Sequence, residues 1–236
     1  MIGNPRSAAM NLSDRFVCTR RFEALAARQG WRIVAGCDEV GRGALAGPLY
    51  AAAVILDPAR RIRGLDDSKK LSAEIRAEMD QEIRSKAIAL QVVAVPAVEV
   101  DVLNVYQASR QAMISAIQAL IPTPDFVLTD AMRLTGWGDQ VEFPTPYRSI
   151  IHGDARSASI AAASIIAKVA RDTHMRDLDR LYPQYILASN KGYGTPEHLD
   201  GLMKYGPCPE HRRTFAPVKG HCLPLFPFPG PCESQS

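Results

Sequence analysis

The chain has 236 residues, enough for one well-buried core with a small appendage. Hydrophobic residues at 47% and charged residues at 22% are the balance of an ordinary globular protein, which excludes a fibrous or wholly disordered chain. A net charge of +3 is too small to indicate nucleic acid by itself, but committing four acids to bound metal would leave the remainder distinctly basic, a distribution suited to a polyanionic substrate.

Residues 1–14 are small and polar, and disorder is expected there. Residues 15–29 read as a helix leading into the core. Residues 32–37 and 49–56 read as the two strands of a hairpin, with the loop from Gly41 to Gly47 between them. Leu71, Ile75, Met79 and Ile83 recur every four residues and predict an amphipathic helix, with Ser72 as its N-cap. Residues 88–95 form a β-branched third strand ended by Pro96. Leu103, Tyr106, Met113, Ile114, Ile117 and Leu120 then mark one side of a long helix, stopped by Pro122 and Pro124. Residues 126–130 are a short buried strand, 147–151 a fifth strand, and 157–175 a helix rich in Ala, Ile and Ser. Residues 176–215 carry short helical pieces and a Gly-rich loop from Asn190 to Thr195, and the Pro-rich tail from Pro217 reads as extended or disordered. Three strands followed by strands alternating with helices predict an α/β fold: a mixed five-stranded sheet flanked by helices. The expected division is a disordered N-terminus at 1–14, a catalytic core at 15–175, a small helical C-terminal region at 176–216 and a tail at 217–236.

The segment Cys37-Asp38-Glu39-Val40-Gly41-Arg42-Gly43 carries the most chemistry. Two acids close an apolar run, and glycines that let a substrate backbone come near follow at once. A hairpin turn with exposed charges is the plainer alternative. Asp38, Glu39, Asp130 and Asp154 all lie at or just past the C-terminal end of a predicted strand, the edge where open α/β sheets bind ligands. Successive strand residues face opposite sides, so Asp38 and Glu39 share one site only if the strand ends or bends at Glu39. Clustered carboxylates repel, and hard divalent ions such as Mg²⁺ or Mn²⁺ are the expected remedy. Two such ions would activate water and stabilise the leaving oxygen in phosphodiester cleavage. The ordinary alternative is that Asp130 is a strand-end acid and Asp154 a helix cap.

These segments resemble the ribonuclease HII (type 2 ribonuclease H) family. The resemblance rests on Gly36-Cys37-Asp38-Glu39-Val40-Gly41-Arg42-Gly43, on Leu65 to Ser72 (LDDSKKLS), on Gly153-Asp154-Ala155-Arg156-Ser157, on Ser159 to Asp172 (SIAAASIIAKVARD), on Ser189 to Thr195 (SNKGYGT) and on His211 to Phe215 (HRRTF). It runs from about Phe22 to Val218 with the motifs in family order. It implies a ribonuclease H-like fold with a helical C-terminal region. It also implies endonucleolytic cleavage of RNA in RNA–DNA hybrids and on the 5′ side of single ribonucleotides in duplex DNA, leaving 3′-hydroxyl and 5′-phosphate ends. Carried over by motif, Asp38, Glu39, Asp130 and Asp154 are the metal-binding catalytic acids. Gly41, Arg42 and Gly43 form a turn that senses the 2′-hydroxyl through backbone groups, and Tyr193 packs on the sugar at the RNA–DNA junction. Lys69, Lys70, Lys191 and Arg213 are candidate phosphate contacts, although solvated surface charge is the commoner state of such residues. The chain departs from the pattern at Asp130, where Ala131 follows and the family more often has Asp-Gly; Asp139 is the nearest competitor. Arg42 and the short N-terminus favour type 2 over type 3, which tends to Gly-Lys-Gly.

The rival readings are a DNA nuclease or resolvase of the same fold without ribonucleotide specificity, and a binding protein that has lost catalysis. Five cysteines, odd in number and without a C-x-x-C pair, point to a reducing compartment. With no membrane-spanning stretch and no signal-peptide core, a cytoplasmic monomer is expected. Cys208, His211, His221 and Cys222 raise a zinc question, but their spacing fits no structural zinc pattern. Leu225, Phe226 and Phe228 in the tail either contact a replication clamp or pack back on the domain.

Overall fold

The computed structural model describes residues 16–135 and 143–221. The N-terminus expected to be disordered (1–14), Asp139, Cys222, Cys232 and the tail residues Leu225, Phe226 and Phe228 lie outside them. The strands are β1 (Val34–Val40), β2 (Leu49–Leu56), β3 (Ala87–Val95), β4 (Phe126–Asp130) and β5 (Tyr147–Ile150). They form one sheet in the order β3-β2-β1-β4-β5. β1 to β3 are an antiparallel meander, and β4 and β5 continue the sheet in parallel beyond β1. The expected mixed five-stranded sheet is the one observed.

The helices are α1 (Arg21–Arg28), α2 (Ala73–Lys86), α3 (Ala97–Leu103), α4 (Val105–Gln118), α5 (Ala158–Leu181), α6 (Leu187–Asn190), α7 (Pro196–Tyr205) and α8 (Ala216–Lys219). Strand alternation divides the core into two layers. Ala35, Cys37, Ala51 and Ala53 face α4 and pack with Ala112, Met113, Ala116 and Ile117. Ala52 and Val54 face the other way, against Ala162, Ile165 and Ile166 of α5 and Met79 and Ile83 of α2. The small residues of α5 let it lie close to the sheet. At Gly36 the approach is closest: a Cβ there would sit 2.1 Å from the carbonyl carbon of Ser159.

Several elements differ from expectation, each for a local reason. β1 does not end at Glu39: its pairing with β2 continues through Asp38↔Ala52 and Glu39↔Ala51 to Val40↔Tyr50. The single long helix is two, α3 and α4, because Asn104 takes φ 65 and its side chain accepts hydrogen bonds from the Tyr106 and Gln107 amides. An N-cap inside an apolar stripe is invisible to periodicity, and Tyr106, placed with the core side, is 40% exposed. α1 is shorter than 15–29, and α5 runs past residue 175 to Leu181. Ser72 does cap α2, its hydroxyl accepting from the Ile75 amide, although Ile75 itself is largely exposed. The tail does not begin at Pro217: α8 forms there, and fully buried Val218 packs on Leu45 and Leu202.

Gly36→Ala therefore tests the seat of α5 on β1. The added methyl meets backbone rather than a movable side chain, so a destabilisation of about 3 kcal/mol or insoluble protein is expected. Urea unfolding measures it, and a loss below about 1 kcal/mol would mean α5 can move away.

Candidate active site

β1 and β4 are parallel neighbours, with Cys37 beside Thr129, so Asp38 and Asp130 follow side by side at their ends. Both face α5. The loop joining β5 to α5 brings in Asp154, and the Gly153 amide ties that loop to β4 by donating to Asp130 Oδ1 at 2.7 Å. Asp154 does not cap α5: Ser157 does, its hydroxyl accepting from the Ile160 amide. One carboxylate oxygen each from Asp38, Asp130 and Asp154 lies within 4.8 Å of the others, the one such acid, histidine or cysteine cluster among the described residues.

Glu39 stands apart from this triad. It lines the same cleft as Asp38 and Asp130, and Arg42 Nη1 lies 3.2 Å from its Oε1. Its Oε2 is buried with no partner.

The acids pay electrostatically for their grouping. Burial, then Glu39 and Asp130, push the Asp38 carboxyl well above its ordinary value, with a Ser164 hydrogen bond opposing. Burial and then Asp154 raise Asp130 to about 6. Burial and then Asp67 raise Asp154. Burial also raises Glu39, with Arg42 opposing. Oxygen-only donors, repelling one another and leaving one buried oxygen orphaned, fit a hard divalent cation.

Asp38, Glu39 and Asp130 line a cleft of ≈ 540 Å³ that also includes Gly41, Arg42, Gly43, Lys69 and Tyr193. Gly41 takes φ 93, and a Cβ there would strike Arg171 Nε at 2.3 Å, so the turn depends on glycine. Tyr193, 37% exposed, overhangs the turn, its Cε1 3.9 Å from where a Gly43 Cβ would be. Lys69 reaches into the cleft, its ammonium 3.5 Å from Asp154 Oδ2 and 3.9 Å from Asp67 Oδ1. The other proposed phosphate contacts are not gathered there. Lys70 pairs with Asp66, the Lys191 ammonium donates to the Ala188 carbonyl, and exposed Arg213 is anchored by its amide to Asp101.

Other residues around the cleft escaped the motif reading. Ser68 and Ser164 hydroxyls meet at 3.0 Å beneath Asp38, and Lys168 pairs with Asp172 at 2.7 Å. Ser164, Lys168 and Arg171 recur at helical spacing on α5, a signal available in the sequence. Buried Glu23 accepts from the Ser157 and Ser159 hydroxyls and the Ser159 amide, fixing the start of α5. Below Tyr193 runs a buried chain. The Cys208 amide donates to His211 Nδ1, which leaves His211 Nε2 to donate to His198 Nε2 at 3.1 Å and His198 Nδ1 to donate to the Tyr193 carbonyl at 2.9 Å. Burial and then His198 lower His211 to about 4, so the chain is neutral at physiological pH. Those histidine nitrogens are thus committed to hydrogen bonds, which answers the zinc question for His211; His221 is exposed.

Acids arranged for hard cations, beside a glycine turn at one cleft, are equipment found in enzymes that cut phosphodiesters. The ribonuclease HII family model matches residues 35–218. A ribonuclease HII of Koribacter versatilis is 51% identical over 219 residues, covering 92% of this chain and 84% of the relative. The crystal structure of the ribonuclease H2 from Pyrococcus horikoshii superposes with a TM-score of 0.67 at 24% identity, over 80% of this chain and 96% of that one. A ribonuclease HII of Archaeoglobus fulgidus, solved as a complex with PCNA, gives 0.64 at 24% identity, over 78% and 95%. The chain belongs to the ribonuclease HII family, and it is an endonuclease of the ribonuclease H type.

The departure at Asp130 has a backbone meaning. Ala131 adopts φ 48, the left-handed region that glycine enters freely. Ala131→Gly should therefore raise stability by about 0.5–1 kcal/mol in urea unfolding, the relief of strain exceeding the added chain entropy. A loss of stability would show that Ala131 is unstrained.

The raised acids also fix a pH dependence. Groups with ordinary values of 3.8 that rise to about 6 when folded, as Asp130 does, hold more protons in the folded than in the unfolded chain within that window. The Asp130 contribution to the stability of metal-free protein therefore falls as pH rises through it, while His211, lowered to about 4, contributes in the opposite sense. In chelator the melting temperature of the wild type minus that of Asp130→Asn should be more positive at about pH 5 than at about pH 7.5, by on the order of 3 °C, and added Mg²⁺ should remove that change. A difference that is the same at both pH values would show that Asp130 is not the group responsible.

Proposed function

We propose that this endonuclease cuts the RNA strand of RNA–DNA hybrids and the 5′ side of single ribonucleotides in duplex DNA, giving 3′-hydroxyl and 5′-phosphate ends. One observation carries the reading: three carboxylates, two buried and one half-buried, converge beside a glycine turn overhung by a half-exposed tyrosine. Asp38, Asp130 and Asp154, with the orphaned Glu39 oxygen, would hold Mg²⁺ or Mn²⁺. A bound pair of these ions supplies a water of lowered pKa and neutralises charge on the leaving oxygen. The chain's own groups do the selecting. Backbone groups of Gly41, Arg42 and Gly43 meet the 2′-hydroxyl, which DNA lacks, while the Tyr193 ring packs on the sugar beyond it. Lys69, held near the acids, meets a phosphate next to the scissile bond. Lys70, Lys191 and Arg213 would act farther along the duplex.

On this reading the enzyme acts as a cytoplasmic monomer in the removal of ribonucleotides from DNA. A clamp contact through the tail would lie at Leu225, Phe226 and Phe228, and the PCNA complex of the Archaeoglobus fulgidus protein makes it worth testing. Among the described residues no helix is long and apolar enough to cross a membrane.

A labelled duplex with one ribonucleotide, and an all-DNA duplex beside it, tests the proposal. Cleavage with Mg²⁺ or Mn²⁺ should fall 5′ to the ribonucleotide and spare the control. Cutting of both duplexes would support the DNA nuclease alternative. Asp38→Asn and Asp154→Asn should lower kcat by at least about 10³-fold with Kd changed less than about threefold, since basic groups supply most affinity. Parallel loss of binding and rate would contradict that division. Tyr193→Ala should harm single-ribonucleotide substrates more than long hybrids, as kcat/KM on both would show.

A further inference from the structure

Arg171 of α5 and Arg212, just before α8, are both fully buried. Neither has an ion-pair partner among the described residues. Both spend their donors on backbone carbonyls around the glycine turn. Arg171 donates to Pro48 at 3.0 Å, Ala46 at 3.3 Å and Lys191 at 2.9 Å, which joins the loop after the turn to the loop bearing Tyr193. Its guanidinium carbon lies 5.6 Å from the centre of the Tyr193 ring. Arg212 donates to the Arg42 carbonyl at 2.9 Å and twice to that of Gly47, at 3.2 and 2.9 Å. The acids whose charge the two arginines feel make their own contacts elsewhere: Asp172 with Lys168, and Asp101 with the amides of Arg213 and Thr214.

Carbonyl oxygens satisfy donors but do not neutralise charge. A buried cation without a counter-ion costs several kcal/mol, and a fold that needed only cross-links could use neutral donors. Burial, then repulsion from Arg171, lower Arg212 to about 10, which still leaves it cationic at neutral pH. Their charge is carried through low-dielectric protein toward the floor of the cleft, where it is weakly screened.

We propose that Arg171 and Arg212 form a cationic plate under the Gly41–Gly43 turn, which locks the turn and the Tyr193 loop together and whose missing counter-ions are the substrate phosphates flanking the ribonucleotide. This rests on reading the turn as the surface that meets the ribonucleotide. The two arginines are positioning residues, since they contact carbonyls and not the reacting atoms. Lysine cannot replace them, because the planar fork is what spans carbonyls from separate loops.

The test is binding in chelator, without cleavage, of a duplex carrying one ribonucleotide and of the all-DNA duplex, across a salt series. Arg171→Gln and Arg212→Gln should flatten the dependence of log affinity on log salt by up to about 0.9 per charge removed. They should also lose about tenfold of the preference for the ribonucleotide duplex. Arg171→Lys, which keeps charge but not the fork, should keep the salt slope and lose preference. A folded Gln variant with wild-type slope and preference overturns the plate, as does Arg171→Lys with full preference if the Gln variants do not fold. Absence of preference in the wild type would defeat the reading of the turn instead, while the salt slopes would still decide whether the buried charge is felt.

Discussion

The close packing of α5 on β1 is the constraint from which the site follows. Gly36 lets the Ser159 backbone lie directly on the strand. Ser164 then falls beneath Asp38, Lys168 on the cleft wall and Arg171 under Gly41, all from one helical face. The start of the same helix is held by Glu23, so the loop carrying Asp154 arrives at a fixed height. Two strand ends and one helix thereby fix three carboxylates, and rigid elements hold such geometry better than loops can.

The charge distribution is divided by depth. Acids gather at the strand ends, where their mutual repulsion is relieved by cations; two arginines lie under the neighbouring turn, where carbonyls satisfy them without cancelling them. Neither group is at its own optimum in the isolated chain. Under the two proposals above, the compensation comes from what the cleft binds, a common trade of stability for function. The neutral histidine chain beneath Tyr193 adds hydrogen bonds without adding charge, so it steadies that loop while leaving the field of the arginines unaltered.

Much of this was legible in the chain because strands and acids coincide. Residues 49–56 and 126–130 are strands at the expected bounds, and the approach of Asp38 to Asp130 follows from the parallel pairing of β1 with β4, with Asp154 brought in by the loop after β5. What was not legible depends on groups distant in sequence. β1 was expected to end at Glu39, but hydrogen bonding to β2 carries it on to Val40, and Glu39 lines the cleft with Asp38 while staying outside the three-acid cluster. Its Oε1 is held by Arg42, a contact set by the turn. Lys70, Lys191 and Arg213 were grouped by their charge alone, and charge alone says nothing of the direction of a long side chain. The cap at Asn104 and the His198–His211 contact likewise need tertiary structure.

Reading RNA through backbone groups has a consequence for where specificity is encoded. A peptide N–H or carbonyl has no side chain to vary, so its position can be altered only by what lies behind it. Behind the Gly41–Gly43 turn lie Arg171 and Arg212, and behind Tyr193 lie Arg171 and the His198 ring. If the turn meets the ribonucleotide as proposed, the motifs around Ala167 to Asp172 and His211 to Phe215 belong to the recognition apparatus, although most of their side chains are buried. Ala131 shows the converse: the residue after Asp130 departs from glycine, yet the left-handed backbone is kept by the Ala131 amide bonding to the Ile150 carbonyl and the Thr129 hydroxyl to that of Met132. At both places the constraint is on where the backbone goes, and side-chain identity is free wherever that path is otherwise secured.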